Sequence, residues 1–239
     1  MKMFGAVALT LSMAAFAGCA QAAPSQVERS EVEAIIADYL MKNPELVRDA
    51  LEELDRKAER QAIAAVYDSI KKDKRDVVIG PKNAKVTIVE FFDYNCGFCK
   101  RSPDWVGDVM KKHPKDVRVV FKELPILDGR TGTSRMAAKA ALAAHKQGKY
   151  APMHFALMEA TGLSEERVQK FAKDAGLNMT KFNKDRKSPE LDEQLEDALI
   201  LANRIPALTG TPFFIINDEF LAGADTNRLQ ALLDAALEG

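Results

Sequence analysis

An apolar, β-rich run that ends in a C-x-x-C at the start of a helix leaves a chain few ways to fold. Here Lys85-Val86-Thr87-Ile88-Val89-Glu90-Phe91-Phe92 reads as a buried strand, dense in β-branched and aromatic residues. Asp93-Tyr94-Asn95-Cys96-Gly97-Phe98-Cys99-Lys100 follows at once, and Arg101 to Lys112 has helical spacing through Trp105, Val106, Val109 and Met110. Cys96 therefore falls between a strand and the beginning of a helix. Free backbone N–H groups and the positive helix end favour a thiolate there, so Cys96 is expected to have a depressed pKa and to be the nucleophile. Cys99, one turn into the helix, is placed to close a disulfide on Cys96 or to resolve a mixed disulfide.

Two other readings of the cysteine pair are weaker. Half of a zinc site needs two more ligands, and the sequence has no second C-x-x-C and no H-x-x-x-H; His113, His145 and His154 are scattered. A purely structural disulfide across so short a loop gives little chain-entropy stabilisation. Redox exchange is favoured. It moves electrons between sulfurs, and we expect no cofactor and no metal.

A second element complements the first. Thr209-Gly210-Thr211-Pro212 precedes an apolar strand, Phe213-Phe214-Ile215-Ile216-Asn217. Proline is tolerated at the start of such a strand, and a cis Thr211–Pro212 bond would be a specialised feature. Asp225 or Thr226 then caps a terminal helix through Leu229, Leu232, Leu233 and Leu237. Between the two elements, Met136 to Lys146, Tyr150 to Glu159, Glu165 to Asp174 and Glu190 to Asn203 read as helices.

The N-terminus reads as a targeting signal. Lys2 precedes an apolar run from Met3 to Phe16, too short to span a bilayer, and Ala20-Gln21-Ala22 supplies the small residues of a cleavage site. Phe16-Ala17-Gly18-Cys19 also resembles a lipobox, with Phe where that motif takes Leu; lipid anchoring at Cys19 is the lesser alternative to cleavage after Ala22. The mature protein is thus expected to be exported and soluble. Next, Ser30-Glu31-Val32-Glu33 has the form of a capping box, and Asn43-Pro44 restarts a helix, with Asn43 as N-cap. From Glu45 to about Lys72 the stripe Val47, Leu51, Leu54, Ala58, Ala62, Ala65 runs between charged flanks. One such helix cannot bury its stripe alone; it packs on the following domain or pairs with copies of itself.

Composition removes several classes. The 239 residues carry 34 basic and 35 acidic side chains, a net charge of −1, which gives no electrostatic case for nucleic acid or an anionic membrane as partner. Three cysteines are too few for a disulfide scaffold. The length suits one domain with additions or two small ones.

From about Val77 to Gly239 the chain resembles the thioredoxin superfamily, in its exported DsbA-like branch. The residues that carry the resemblance are V-E-F-F-D-Y-N-C-G-F-C, F-K-E-L-P-I-L and G-T-P-F-F-I-I-N. The resemblance implies an α/β thioredoxin fold with a helical insertion at about 133–204, preceded by an all-helical segment, 23–76, that follows a signal peptide, 1–22. It places Pro212 as a cis-proline beside Cys96, with Thr211 before it. It makes Glu90 a buried acid able to relay the proton of Cys99, with Lys122 in the next strand as its candidate partner. Gly97-Phe98 between the cysteines, and Thr211 before the proline, look like the disulfide isomerases and the ScsC-like proteins. Asn43-Pro44-Glu45-Leu46 resembles the N-terminal segment by which such proteins oligomerise, as trimers in some members.

The implied function is therefore an exported, periplasmic thiol-disulfide oxidoreductase: a disulfide isomerase or reductase acting on cysteine-containing exported proteins and served by a membrane thiol reductase. The alternative is a monomeric dithiol oxidase recharged by a membrane oxidant. A third reading is a copper-binding tolerance protein that uses Cys96 and Cys99.

Overall fold

The computed structural model describes residues 26–239. The expected signal peptide and Cys19 lie outside the described residues.

Helix α1 spans Gln26–Lys42 and α2 spans Pro44–Lys71. Ser30 is inside α1 and does not cap it. No glycine or proline interrupts the chain between Ser25 and Asn43, and the Glu33 carboxylate takes Arg29 one turn back, at 3.0 Å, instead of a free backbone donor. Asn43 also departs from expectation: its Nδ2 donates to the Tyr39 carbonyl at 2.8 Å, so its side chain closes α1 rather than opening α2.

The chain divides into two compact units, up to Glu52 and from Glu53 onward. In the first, Val32, Ile35, Ile36, Tyr39, Val47 and Leu51 are all exposed. The second contains the rest of α2 and everything after it. Within it, Leu54 is exposed, whereas Ile63, Val66 and Ile70 are buried. At about 100° per residue Leu54 lies half a turn from Ile63, so the packing face of α2 is not the continuation of the apolar stripe through Ala62 and Ala65. Larger side chains win that contact because they remove more apolar surface from water.

A five-stranded mixed sheet organises the second unit. Its strands are β1 (Val77–Ile79), β2 (Val86–Phe92), β3 (Val117–Glu123), β4 (Phe213–Ile216) and β5 (Glu219–Ala222), in the order β1-β3-β2-β4-β5. Strand β2 is parallel to β3 and antiparallel to β4. Every β2 residue is buried, which accounts for its near-continuous apolar sequence. One face, with Val89, Phe91, Val120, Phe213 and Ile215, packs against Ile63, Val66 and Ile70 of α2 and Ala198 and Leu201 of α9 (Pro189–Ala202). On the other face Ile88, Phe92, Val119 and Phe214 join the core of α3 (Pro103–Lys112), α10 (Thr226–Glu238) and most of the inserted helices.

Six helices lie between β3 and β4. Besides α9 they are α4 (Asp128–Thr131), α5 (Ser134–His145), α6 (Tyr150–Glu159), α7 (Glu165–Asp174) and α8 (Met179–Asp185); α4 and α8 had no counterpart among the expected helices. Six alanines of α5 are buried, and that helix packs against α6, α7, α8 and α9. Asp225 caps α10, its side chain accepting from the backbone of Asn227 and Arg228.

Candidate active site

Pairing of β2 with β4 brings the two sequence elements together. Phe91 is opposite Phe213, so the loop leaving β2 meets the segment entering β4. Cys96 Sγ lies 3.1 Å from the carbonyl oxygen of Thr211, and the Thr211–Pro212 peptide is cis. Cys96 is 8% exposed and Cys99 is fully buried. Both are free thiols.

The chain between the cysteines differs from a simple helix start. Cys99–Arg101 is a 3₁₀ turn, and α3 begins only at Pro103, because proline suits the first helical position and lacks the N–H that a continuous helix would use. Cys96 is nevertheless held at a pKa of about 5. The Cys99 thiol, donating to it, is the largest cause; Thr211 and the backbone N–H groups of Cys99 and Phe98 add to it, against the opposing effect of burial. The backbone donors expected from the sequence are thus joined, and outweighed, by the neighbouring thiol. In the thiol form Cys96 donates to the Thr211 carbonyl; a thiolate cannot, and the Thr211 side chain is then among the groups that favour the ionised sulfur. Burial, with the Cys96 sulfur next to it, pushes the Cys99 thiol far above the ordinary range. The two sulfurs are thus chemically unequal: one is ionised at neutral pH and the other keeps its proton.

The loop is fixed from several sides. The Cys96 N–H donates to the Asp93 carbonyl. The buried Asp93 carboxylate accepts from Asn95 N–H, the Ser134 hydroxyl and Leu127 N–H, tying the loop to the inserted helices. Lys100 Nζ donates to the carbonyls of Met158 and Ala160 at the end of α6. Phe98 is 60% exposed, with the Arg101 guanidinium 4.9 Å from its ring centre, so an apolar ring faces solvent between the cysteines. Below the loop, Tyr94 and Tyr150 hydroxyls both donate to Glu123 Oε1, and His154, buried and held neutral with a pKa lowered to about 3, sits against Tyr94.

Glu90 is buried on the face of β2 that looks toward Cys99's turn. Burial raises its pKa to about 7, and its hydrogen-bond partner is the Ser102 hydroxyl at 2.8 Å. Lys122 is not its partner. Lys122 is in register with Phe91, while Glu90 is in register with Phe121. A shift of one residue along a strand reverses the face, so Lys122 projects to the opposite side, where it forms a buried ion pair with Asp76. Ser102, Asp93 and Asp76 had gone unnoticed. A Ser before the Pro of Ser102-Pro103 is a helix-start signal that could have exposed the first; the others depend on contacts distant in sequence. Among the described residues no group of three or more His, Cys, Asp or Glu side chains could hold a metal ion.

Comparison with known proteins agrees with the fold. A model of the DSBA-like thioredoxin domain matches residues 87–235, and one of the copper resistance protein ScsC N-terminal domain matches residues 28–61. Among solved structures, a linker-deleted mutant of ScsC from Proteus mirabilis is 29% identical, with a TM-score of 0.69 over 92% of this chain and 99% of that one. A thioredoxin-like oxidoreductase from Silicibacter pomeroyi is 37% identical, with a TM-score of 0.65 over 72% of this chain and 98% of that one. Among curated proteins, a Na(+)/H(+) antiporter NhaA of Herminiimonas arsenicoxydans is 30% identical over 166 residues, 69% of this chain but 26% of the antiporter. The chain spans about a quarter of the length of the curated relatives it matches. No helix among the described residues is long and apolar enough to cross a membrane.

Proposed function

Since the chain belongs to the family of DSBA-like thioredoxin domains, with the fold of its thiol-disulfide oxidoreductases, we propose that it is an exported, periplasmic disulfide isomerase and reductase working through Cys96 and Cys99. The observation that carries this reading is the inequality of the two sulfurs: a thiolate with a pKa of about 5 that keeps 8% of its residue's surface in contact with solvent, beside a fully buried thiol that keeps its proton.

The Cys96 thiolate attacks one sulfur of a client disulfide, forming a mixed disulfide and releasing the other sulfur as a thiolate. In isomerisation that client thiolate, or another, attacks a different client disulfide bond, and a client sulfur finally displaces Cys96 with no net transfer of electrons. In reduction Cys99 loses its proton and attacks Cys96 Sγ; the client leaves as a dithiol, and the protein is left as the Cys96–Cys99 disulfide, which a membrane thiol reductase returns to the dithiol. Thr211 and Pro212 form the edge against which the client backbone lies beside Cys96, and Glu90 serves the proton balance of Cys99. Exposed Phe98 offers an apolar contact for cysteine-containing exported clients.

Oligomerisation through the N-terminal helices, as a trimer or another small ring, belongs to this reading. The exposed apolar residues of α1 and the first half of α2 support it, since a monomer would leave them in water.

Trapping the redox state in cells tests the direction. Acid quenching followed by a mass-tagging maleimide should find Cys96 and Cys99 mainly as free thiols. A steady-state disulfide would replace this reading with the dithiol oxidase.

A further inference from the structure

We propose that Ser102 is a positioning residue whose single hydroxyl proton couples the ionisation of Glu90 to the turn that carries Cys99. This rests on the dithiol reading above and adds a residue to it. Ser102 is fully buried, with Oγ 2.8 Å from Glu90 Oε1 and 3.1 Å from the carbonyl oxygen of Cys99. A hydroxyl has one proton to donate, and both of these oxygens are acceptors when Glu90 is a carboxylate. Ser102 then serves only one of them, and the charged oxygen prevails because hydrogen bonds to ionised groups are the stronger. When Glu90 is protonated, its own O–H donates to Ser102 Oγ, and the Ser102 proton turns to the Cys99 carbonyl. The change is balanced by one proton taken from solvent and one hydroxyl rotation.

The Cys99 carbonyl therefore gains or loses a hydrogen bond with the charge on Glu90. Its other donor nearby is the Ser102 N–H, at 3.5 Å, the far end of hydrogen-bonding range. The Cys99 carbonyl is therefore held more firmly while Glu90 is neutral, although Lys100 anchors the turn in either state.

The surroundings of Glu90 suit such a coupling. It forms no ion pair among the described residues, and its pKa is raised to about 7 by burial. The ionisable groups around it are Cys99 on the turn, Tyr94 beyond β2 and Glu123 on β3, none of them a cation. Its neighbours across the strands are Phe121 and Phe214, and the buried residues of α10 are Leu229 and Leu233. Lys122 and Asp76 lie on the other face. Because linkage is reciprocal, closing the Cys96–Cys99 disulfide, which restrains the same turn, must shift the titration of Glu90.

The test uses the full chain with ¹³C-labelled glutamate carboxyls, Glu90→Gln to identify the Glu90 signal, and the pH dependence of mixed-disulfide resolution by Cys99. Ser102→Ala should raise the midpoint of Glu90 by about one pH unit, the size expected for losing a hydrogen bond to a charged group. The inflection in the resolution rate should move with it, vanish in Glu90→Gln, and stay near its original place in Ser102→Thr, which keeps the hydroxyl. A Glu90 midpoint that Ser102→Ala leaves unmoved, with only a lower melting temperature, would reduce Ser102 to packing and overturn the proposal. So would an inflection that shifts with Ser102→Ala in the Glu90→Gln background. Should Ser102→Ala not fold, the unsubstituted chain decides: an identical Glu90 midpoint in the dithiol and disulfide forms overturns the coupling. Failure of the dithiol reading would look different, with no thiol exchange in any form of the chain while the carboxyl titration still reports on Glu90 and Ser102.

Discussion

Cys96 Sγ and the carbonyl oxygen of Thr211 are 3.1 Å apart although 115 residues separate them in the chain. The antiparallel pairing of β2 and β4 is what joins them, since it aligns the end of one strand with the start of the other. The Cys96 sulfur thus lies directly against the Thr211–Pro212 segment, the edge that the proposed function gives to the client backbone.

The Thr211 hydroxyl is expected to matter to that thiolate. Alkylation of Cys96 should follow an ionisation near pH 5, while Cys99 stays unlabelled through neutral pH. Thr211→Val should move the Cys96 midpoint up by about one unit, and Thr211→Ser should move it little. The sign for stability follows. The folded pKa of Cys96 is below the unfolded value of about 8.5, so the reduced form gains stability that is complete above that pH and is lost as pH falls through about 5. Melting temperatures of the reduced form, measured relative to the disulfide form, should therefore drop between pH 8.5 and 5. Thiolate absorbance in the ultraviolet checks the midpoints, and a Thr211→Val midpoint equal to that of the unsubstituted chain would remove the hydroxyl from the account.

On the opposite face of β2 and β3, Lys122 and Asp76 form an ion pair almost wholly out of water. Lys122→Met should lower stability by about 3–5 kcal/mol, because it leaves a carboxylate buried without its partner. Burial already raises Asp76 to about pH 6 with Lys122 beside it; without Lys122 its pKa rises further. A protonated carboxyl needs no cation, so the deficit of Lys122→Met should shrink as pH falls from 8 to 5. Denaturant titrations at the two values check this, and a pH-independent deficit would argue for lost packing instead of an unpaired charge.

These two sites show what the sequence could and could not express. Strand β2 and helices α6 and α7 were legible because periodicity and composition are local, and Tyr150–Glu159 and Glu165–Asp174 have the limits read from spacing alone. The motifs that hold Cys96, Cys99, Thr211 and Pro212 were legible because they are short and local, and the structure brings the two together across a cis peptide. Lys122 stands as a candidate partner for Glu90 only while the register is unknown; the register says which face each side chain takes, and it is not written in either strand. Ser102 was hidden by reading the C-x-x-C helix as continuous past Pro103. The three-residue β1 and four-residue β5 are too short for a pattern, and the packing face of α2 was misjudged because Ala62 and Ala65 extend a periodic stripe that Ile63, Val66 and Ile70 do not follow.

That division of α2 predicts two separable classes of substitution. Leu51 and Leu54 are 57% and 62% exposed. Leu51→Glu with Leu54→Glu should leave the denaturation midpoint of the sheet-bearing unit within the small range of surface changes, while abolishing self-association. Ile63→Ala or Val66→Ala should do the reverse: a loss of about 2–5 kcal/mol for the isoleucine and less for the valine, with association intact wherever the chain remains folded. Light scattering and denaturant unfolding on the same samples distinguish them. Association unaffected by the double glutamate substitution would remove the α2 stripe as an oligomer seam.

The same boundary sets where the N-terminal segment can be removed. A cut at residue 75 would take away Ile63, Val66 and Ile70, which pack on Val89, Phe91 and Ile215 of the sheet. A cut after Glu52 falls between the two compact units and keeps that contact. The mature chain without residues 23–52 should therefore fold, be monomeric, and keep dithiol reductase activity, because Cys96, Cys99, Thr211 and Glu90 all belong to the retained unit. Isomerisation asks for more: the client has to be held while its own sulfurs exchange. One Cys96 with one exposed Phe98 offers little surface for that, whereas several copies in one assembly raise the local thiol concentration and bind the client at several points. The shortened chain should thus lose most of its ability to restore a scrambled multi-disulfide substrate, while still reducing a small disulfide at the full-length rate. A monomer is also easier for a membrane oxidant to approach, so oxidation of reduced client peptides should rise. Scattering, scrambled-substrate refolding and peptide oxidation on the two chains check each step, and a full-length mature protein that is itself monomeric would shift the reading to a dithiol oxidase.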